Sequence, residues 1–159
     1  MIKRIFLIPV IILLILSACS PSNGQSMRAG TQAPDFAIRG LNGENIVLSQ
    51  LNNARPVVLD FWASWCPYCV QEMPHLNQFY AENKYKLDVI GINVGESQAR
   101  AQDVVRRKGV SYPVGLDQNR QVSRSYKVVG IPTVVYIDQG GEILYYGHSI
   151  TEMRNKLGI

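Results

Sequence analysis

Two thiols three positions apart, Cys66 and Cys69 in Trp65-Cys66-Pro67-Tyr68-Cys69, are the residues best equipped for chemistry. They follow an apolar run, Val57-Val58-Leu59-Asp60-Phe61, which reads as a buried strand and places the pair where a helix begins. Helical i, i+3 spacing puts both side chains on one face, where the sulfurs can join and part. The first cysteine then lies among unpaired backbone N–H groups at the positive end of the helix dipole. That setting favours its thiolate, the reactive form. Cys66, the helix-starting and more exposed thiol, is the expected nucleophile, and Cys69, one turn inside, resolves the mixed disulfide.

Competing uses of the pair are weaker. Zinc wants four ligands, and there is no second C-x-x-C and only His75 and His148 besides. No metal and no cofactor is expected. A stapling disulfide closing so short a loop would restrict the unfolded chain little. Asp60 is the one polar residue of its strand. A buried carboxylate is costly, so its pKa should rise, which suits it to relay a proton to or from Cys69. Pro67 and Tyr68 tune the pair, whose potential is expected between about −270 and about −120 mV. Trp62 and Trp65 are expected at the rim, Trp65 as an apolar docking surface for substrate. His75 lies over two turns along the helix and reads as a surface or packing residue. Phe36, Phe61, Val134 and Tyr136 read as core.

The elements that must hold these residues alternate between strand and helix. A hairpin is expected first, over 36–39 and 46–48 across Asn42-Gly43. A strand follows over 57–61, then a helix over 67–80 that Pro74 should kink. Next come a strand over 87–94, a helix over 97–108 ended by Gly109, a short strand over 114–116 and a short helix over 119–126. Strands over 133–137 and 143–146 join across Asp138-Gln139-Gly140-Gly141, and a helix over 151–157 closes the chain. The fold class is α/β, a mixed sheet covered on both faces.

The N-terminus points to a compartment. Lys3 and Arg4 precede an apolar stretch, 5–16, that is shorter than the ~20 residues of a comfortable membrane span. Residues 1–18 therefore read as a signal peptide. Leu16-Ser17-Ala18-Cys19 resembles a bacterial lipobox, so Cys19 is the expected lipidated residue, with diacylglyceryl and N-acyl chains as the membrane anchor. Residues 19–30 are small and polar and read as a flexible tether; 31–159 form one domain. The full chain has 16 basic and 12 acidic residues; without Lys3 and Arg4 fourteen face twelve, about +2. No basic block or aromatic-basic stripe suggests nucleic acid. After lipidation only the Cys66–Cys69 pair remains as free thiols.

VVLDFWASWCPYC, QEMPHL after it and VVGIPTVVYID later resemble the thioredoxin superfamily, and more narrowly the membrane-tethered TlpA/ResA-like thiol–disulfide oxidoreductases. The resemblance runs from Ala33-Pro34-Asp35-Phe36 to the C-terminus. It implies a thioredoxin-like sheet with an inserted strand–helix unit over about 112–126. It matches Pro132, in Gly130-Ile131-Pro132-Thr133, to the superfamily's cis-proline, with the Ile131 backbone free to pair with an extended substrate segment. Asp60 falls where thioredoxin keeps a buried aspartate, although many TlpA/ResA-like proteins have asparagine there. Glu72 falls where the ResA-like group places a cavity glutamate, and the two acids would titrate together if they share a cavity.

The implied activity is reduction of protein disulfides outside the cytoplasm, with apocytochrome c before haem attachment as a substrate and a transmembrane thiol conduit as electron donor. The reverse flow would make the chain a disulfide-donating oxidase or isomerase. A thiol peroxidase would need a P-x-x-x-T-x-x-C setting, which the strand–WCPYC segment lacks. A non-catalytic binding domain would not need its thiols.

Overall fold

The computed structural model describes residues 27–159, so the expected signal peptide, Cys19 and most of the tether lie outside the described residues. The elements are β1 (Ala37–Arg39), β2 (Asn45–Val47), α1 (Leu48–Asn52), β3 (Val57–Trp62), α2 (Pro67–Asn83), β4 (Asp88–Val94), α3 (Gln98–Lys108), β5 (Val114–Asp117), α4 (Gln121–Ser125), β6 (Thr133–Ile137), β7 (Ile143–Gly147) and α5 (Ile150–Leu157).

β3 to β7 form a mixed sheet in the order β5-β4-β3-β6-β7. β3 runs parallel to β4, and β4 to β5, while β6 is antiparallel to both β3 and β7. β3 is central and buried along its whole length, which explains why its sequence does not alternate. Val58 and Trp62 pack with residues of α2, α3 and α5; Val57, Leu59 and Phe61 face Phe36, Leu48, Val122 and Tyr126. β5 and α4 are the expected inserted strand and helix.

α2 buries Cys69, Met73, Leu76 and Phe79, a stripe at spacings of four, three and three that fits one helical face. Pro67 at its first turn needs no N–H donor, and Cys66 is the residue that caps it. The helix continues through Pro74 and ends three residues beyond the expected Tyr80. The proline sits on the exposed side, where the ring displaces no core contact.

Four local expectations are corrected. The second hairpin strand ends at Val47, and Leu48 opens a five-residue helix, α1, instead. Its cap Val47 offers no side-chain acceptor; Asp35 Oδ1 accepts from Ser49 N–H at 2.9 Å and does that work from fourteen residues away. The fourth helix spans only Gln121–Ser125, because the Asp117 carboxylate takes the N–H groups of Val122 and Ser123 at 3.0 and 2.7 Å and fixes where it begins. Trp62 is not at a rim: it is fully buried, while Tyr136 is only half-buried.

The β1–β2 hairpin turns at Gly43 (φ 89°) and attaches to β5 through Leu41 N–H to Val114 O at 2.8 Å. Where the described chain begins, Gly30 N–H donates to Ile143 O and Ile143 N–H to Thr31 O, both at 2.8 Å, and Met27 packs against the core. Ile143 pairs with Ile137, and Ile137 with Val57. The chain therefore enters at the Val57 end of the sheet, opposite the end that carries the cysteines.

Candidate active site

Cys66 leaves β3 through a short loop and caps α2 in extended geometry (φ −93°, ψ 100°); its Sγ accepts from Cys69 N–H at 3.2 Å. The two sulfurs are joined in a disulfide, with Cα atoms 5.3 Å apart. Both cysteines are buried, Cys66 at 4% and Cys69 at 2%, so Cys66 is the more exposed of the two, as expected, but only slightly, and the pair is recessed beneath its neighbours. Those neighbours are the exposed part: Trp65 is 62% and Tyr68 73% accessible.

The loop carrying Trp65 and Cys66 is tied down by a residue that sequence reasoning missed. Glu96, just after β4, accepts from Ser64 N–H at 2.7 Å, from Ser64 Oγ–H at 2.5 Å and from Asn93 Nδ2 at 2.8 Å. Burial pushes its pKa up, but these hydrogen bonds and the Arg100 charge outweigh burial and hold the carboxyl below its usual range. The available signal was Gly95-Glu96 at the C-terminal end of a buried parallel strand, where sites on such sheets gather.

Asp60 lies one residue pair below the cysteine loop, facing α2. Burial, followed by the charge of Glu72, raises its pKa to about 7. Its cross-strand partner is Gly91, and Tyr112 and the Trp62 indole close over that glycine. A Cβ on Gly91 would come within 3.0 Å of Tyr112 Cε2 and 3.1 Å of Trp62 Nε1. Both Trp62 Nε1 and Tyr112 OH are buried without a protein partner among the described residues. Burial and then the Asp60 charge raise the Tyr112 pKa well above its usual value, so the hydroxyl stays protonated beside the acid.

Glu72 is half-buried one turn beyond Cys69, with Ser149 Oγ–H directed at its Oε1 at 3.4 Å. It borders a shallow cleft with Tyr68, His75, Pro132 and His148. The Ile131–Pro132 peptide is cis. Thr133 opens β6 opposite Phe61, which sets Ile131 and Pro132 beside the cysteine loop. His148 Nδ1 stands 2.7 Å from Pro132 O, a contact nothing in the sequence announced because sixteen residues separate the two. His75 is exposed as expected, but it lies at the edge of this cleft. Ile131 faces the other side, where Trp65 and Val129 line a separate groove. Among the described residues no group of three or more His, Cys, Asp or Glu could hold a metal ion.

A recessed dithiol at a helix start, with an acid of near-neutral pKa beneath it, can exchange disulfides and move the accompanying proton. Comparisons with known proteins agree. The profile of the AhpC/TSA family matches residues 29–146. The chain is 37% identical over 118 residues to the thiol-disulfide oxidoreductase ResA of Halalkalibacterium halodurans, covering 74% of this chain and 66% of that one, just under two thirds of its length. To the ResA of Bacillus cereus it is 31% identical over 151 residues, covering 89% and 87%. A crystal structure from Chlorobium tepidum, described as a thiol:disulfide interchange protein DsbE, superposes with a TM-score of 0.75 at 30% identity over 84% of this chain and 96% of that one. The chain belongs to the thioredoxin-fold AhpC/TSA family and, within it, to the ResA-type thiol–disulfide oxidoreductases.

Proposed function

We propose that this oxidoreductase works as a reductase of protein disulfides on the outer side of a bacterial membrane, held there by a lipid on Cys19 after loss of residues 1–18. The observation that carries the reading is the Cys66–Cys69 disulfide at the start of α2, with Asp60 on the face of β3, between Val58 and Trp62, that packs against that helix, its pKa raised by burial to about 7. An acid poised near neutrality can take up and return a proton at working pH.

The Cys66 thiolate attacks a substrate disulfide, forming one S–S bond and releasing one substrate thiolate. Cys69 gives its proton to Asp60 or Glu72 and attacks Cys66 Sγ. The second substrate thiolate leaves, and two electrons have passed to the substrate. The cis-Pro132 loop presents the Ile131 backbone to an extended segment, and Trp65, Pro67 and Tyr68 form the surface against which it lies. Reloading the pair requires an electron donor, for which a transmembrane thiol conduit is the natural class; apocytochrome c before haem attachment is the favoured substrate. The ResA names of the relatives support the exchange chemistry, and the apolar stretch ahead of Cys19 supports the location.

Replacing Cys69 with alanine removes the resolving thiol, so substrates should accumulate as mixed disulfides on Cys66, visible as adducts that collapse on thiol treatment. Their absence in cells would remove the mechanism. Alkylation trapping of the unmodified chain sets the direction. A mostly reduced pair supports the reductase, and a mostly oxidised pair would reassign it as a disulfide donor.

A further inference from the structure

The cysteine pair divides two unlike recesses. On the Tyr68 side lies the cleft of Glu72, His75 and His148. On the Trp65 side lies a groove of about 340 Å³ whose walls include Trp65, Val128, Val129 and Ile131, with Arg120 and Arg124 at its edge. No acidic side chain lines it. Val129 is 98% and Trp65 62% exposed, an apolar surface beside the reacting sulfur.

The two arginines are placed by the inserted unit. Arg120 takes left-handed backbone geometry (φ 58°) ahead of α4, and its side chain lies over Gly95 (φ 72°), where a Cβ would meet Arg120 Nε at 2.5 Å. Arg124 is one turn on along α4, on the same face. Both are exposed, and neither guanidinium forms an ion pair or hydrogen bond with any described residue. Arg55, Arg106, Arg107 and Arg154 are paired with Asp88, Asp103, Asp103 and Glu82; Arg28, Arg39 and Arg100 are also without an ion pair among the described residues, but only Arg120 and Arg124 line the groove beside Trp65. Two unpaired, fork-shaped donors bordering an apolar groove match a carboxylate carried on a polypeptide that also offers an apolar side chain.

We propose that Arg120 and Arg124 make this groove selective for polypeptide segments with an acidic side chain beside the reacting cysteine. The proposal rests on the disulfide-exchange reading and names the substrate class of that site. Glu72 on the far side repels the same carboxylate, so the charge pattern also fixes the direction in which a segment crosses Cys66.

The test uses the reduced full chain in neutral detergent. Its partners are short peptides identical except for Glu, Gln or Lys next to a single cysteine, which is blocked as a mixed disulfide with thionitrobenzoate. Attack by Cys66 on the peptide sulfur expels the coloured thionitrobenzoate. Attack by Cys69 on Cys66 then expels the peptide thiolate, which takes a proton. The pair is oxidised and one disulfide is reduced to two thiols.

At low salt the Glu peptide should react about tenfold faster than the Lys peptide, with Gln between them. The ratio should fall toward one at about 1 M salt. Arg120→Gln with Arg124→Gln should bring it to about one even at low salt. Arg124→Glu alone, at an exposed helical position, should invert it, which keeps the test sound if the double variant folds poorly. Equal rates for all three peptides, or a preference that survives these substitutions, would overturn the groove while leaving the exchange reaction intact. Failure of the unmodified chain to release thionitrobenzoate from any peptide would overturn the exchange reading, and this proposal with it.

Discussion

At the scale of single residues, Asp60 concentrates both the cost and the use of the site. Its folded pKa of about 7 lies above the 3.8 of a free aspartate, so between those values the folded chain holds a proton that the unfolded chain has lost. Stability is therefore greater at low pH and falls as pH rises through about 7. With Glu72 and Tyr112 as its titratable neighbours, the penalty at alkaline pH is about 2–4 kcal/mol. The stability advantage of Asp60→Asn over the wild type should be small only below about pH 4 and should grow by about 2 kcal/mol between about pH 5 and about pH 8, as read from denaturant midpoints at both values. The same substitution should slow release of the mixed disulfide more than the initial attack, and remove the inflection near pH 7 from the release step. Equal slowing of both steps, or an unchanged inflection, would reassign proton transfer to Glu72. Asp60 was legible because it interrupts an apolar run. Tyr112, His148 and Glu96 were not, because their neighbours at the site are distant in the chain and a lone polar residue does not name its partner.

At the scale of elements, the site is a joint between β3, the end of β4 and the start of α2, and Glu96 is the clamp. The boundaries that positioned it were readable where local chemistry decides them: Pro67 opens α2, and Gly109, at φ 61°, closes α3. They were unreadable where a side chain outside the helix decides them, as Asp35 does for α1 from fourteen residues before Ser49 and Asp117 does for α4 from the end of β5. Removing the Glu96 charge tests the clamp. Its folded pKa is depressed, so it contributes stability that is present above the free-glutamate value of 4.5 and is lost as pH falls through the lower folded value. Glu96→Gln keeps one acceptor oxygen and replaces the other with a donor, which should cost about 1–3 kcal/mol near neutrality. It should also flatten the part of acid unfolding that the wild-type carboxylate contributes. Because Ser64 N–H then loses its charged partner, the Trp65–Cys66 loop should loosen, and hydrogen exchange at Ser64 should rise. Unchanged exchange at Ser64 would mean that the loop is held by its own turn and not by β4.

At the scale of the whole molecule, the point of entry and the site occupy opposite poles. The chain joins the sheet at Gly30 to Ala33, beside the start of β7, and the cysteines follow the far end of β3. The six residues of β3 alone separate these poles by about 20 Å. If Cys19 carries lipid, covalent geometry lets it lie at most ~30 Å from Met27. A domain held so closely by one pole presents the other, with its recessed disulfide and exposed Trp65 and Tyr68, to partners further from the bilayer. The anchor then governs which partners are met and not how fast the thiols react. Among the described residues no helix is long and apolar enough to cross a membrane. Cys19→Ala should move the protein from the membrane pellet to the soluble fraction, while its rate with a small soluble disulfide stays within about twofold of wild type. Unchanged pelleting would reject lipidation at Cys19. A large fall in the soluble rate would show instead that the N-terminal segment reaches the site, against the polarity by which the sheet separates the two.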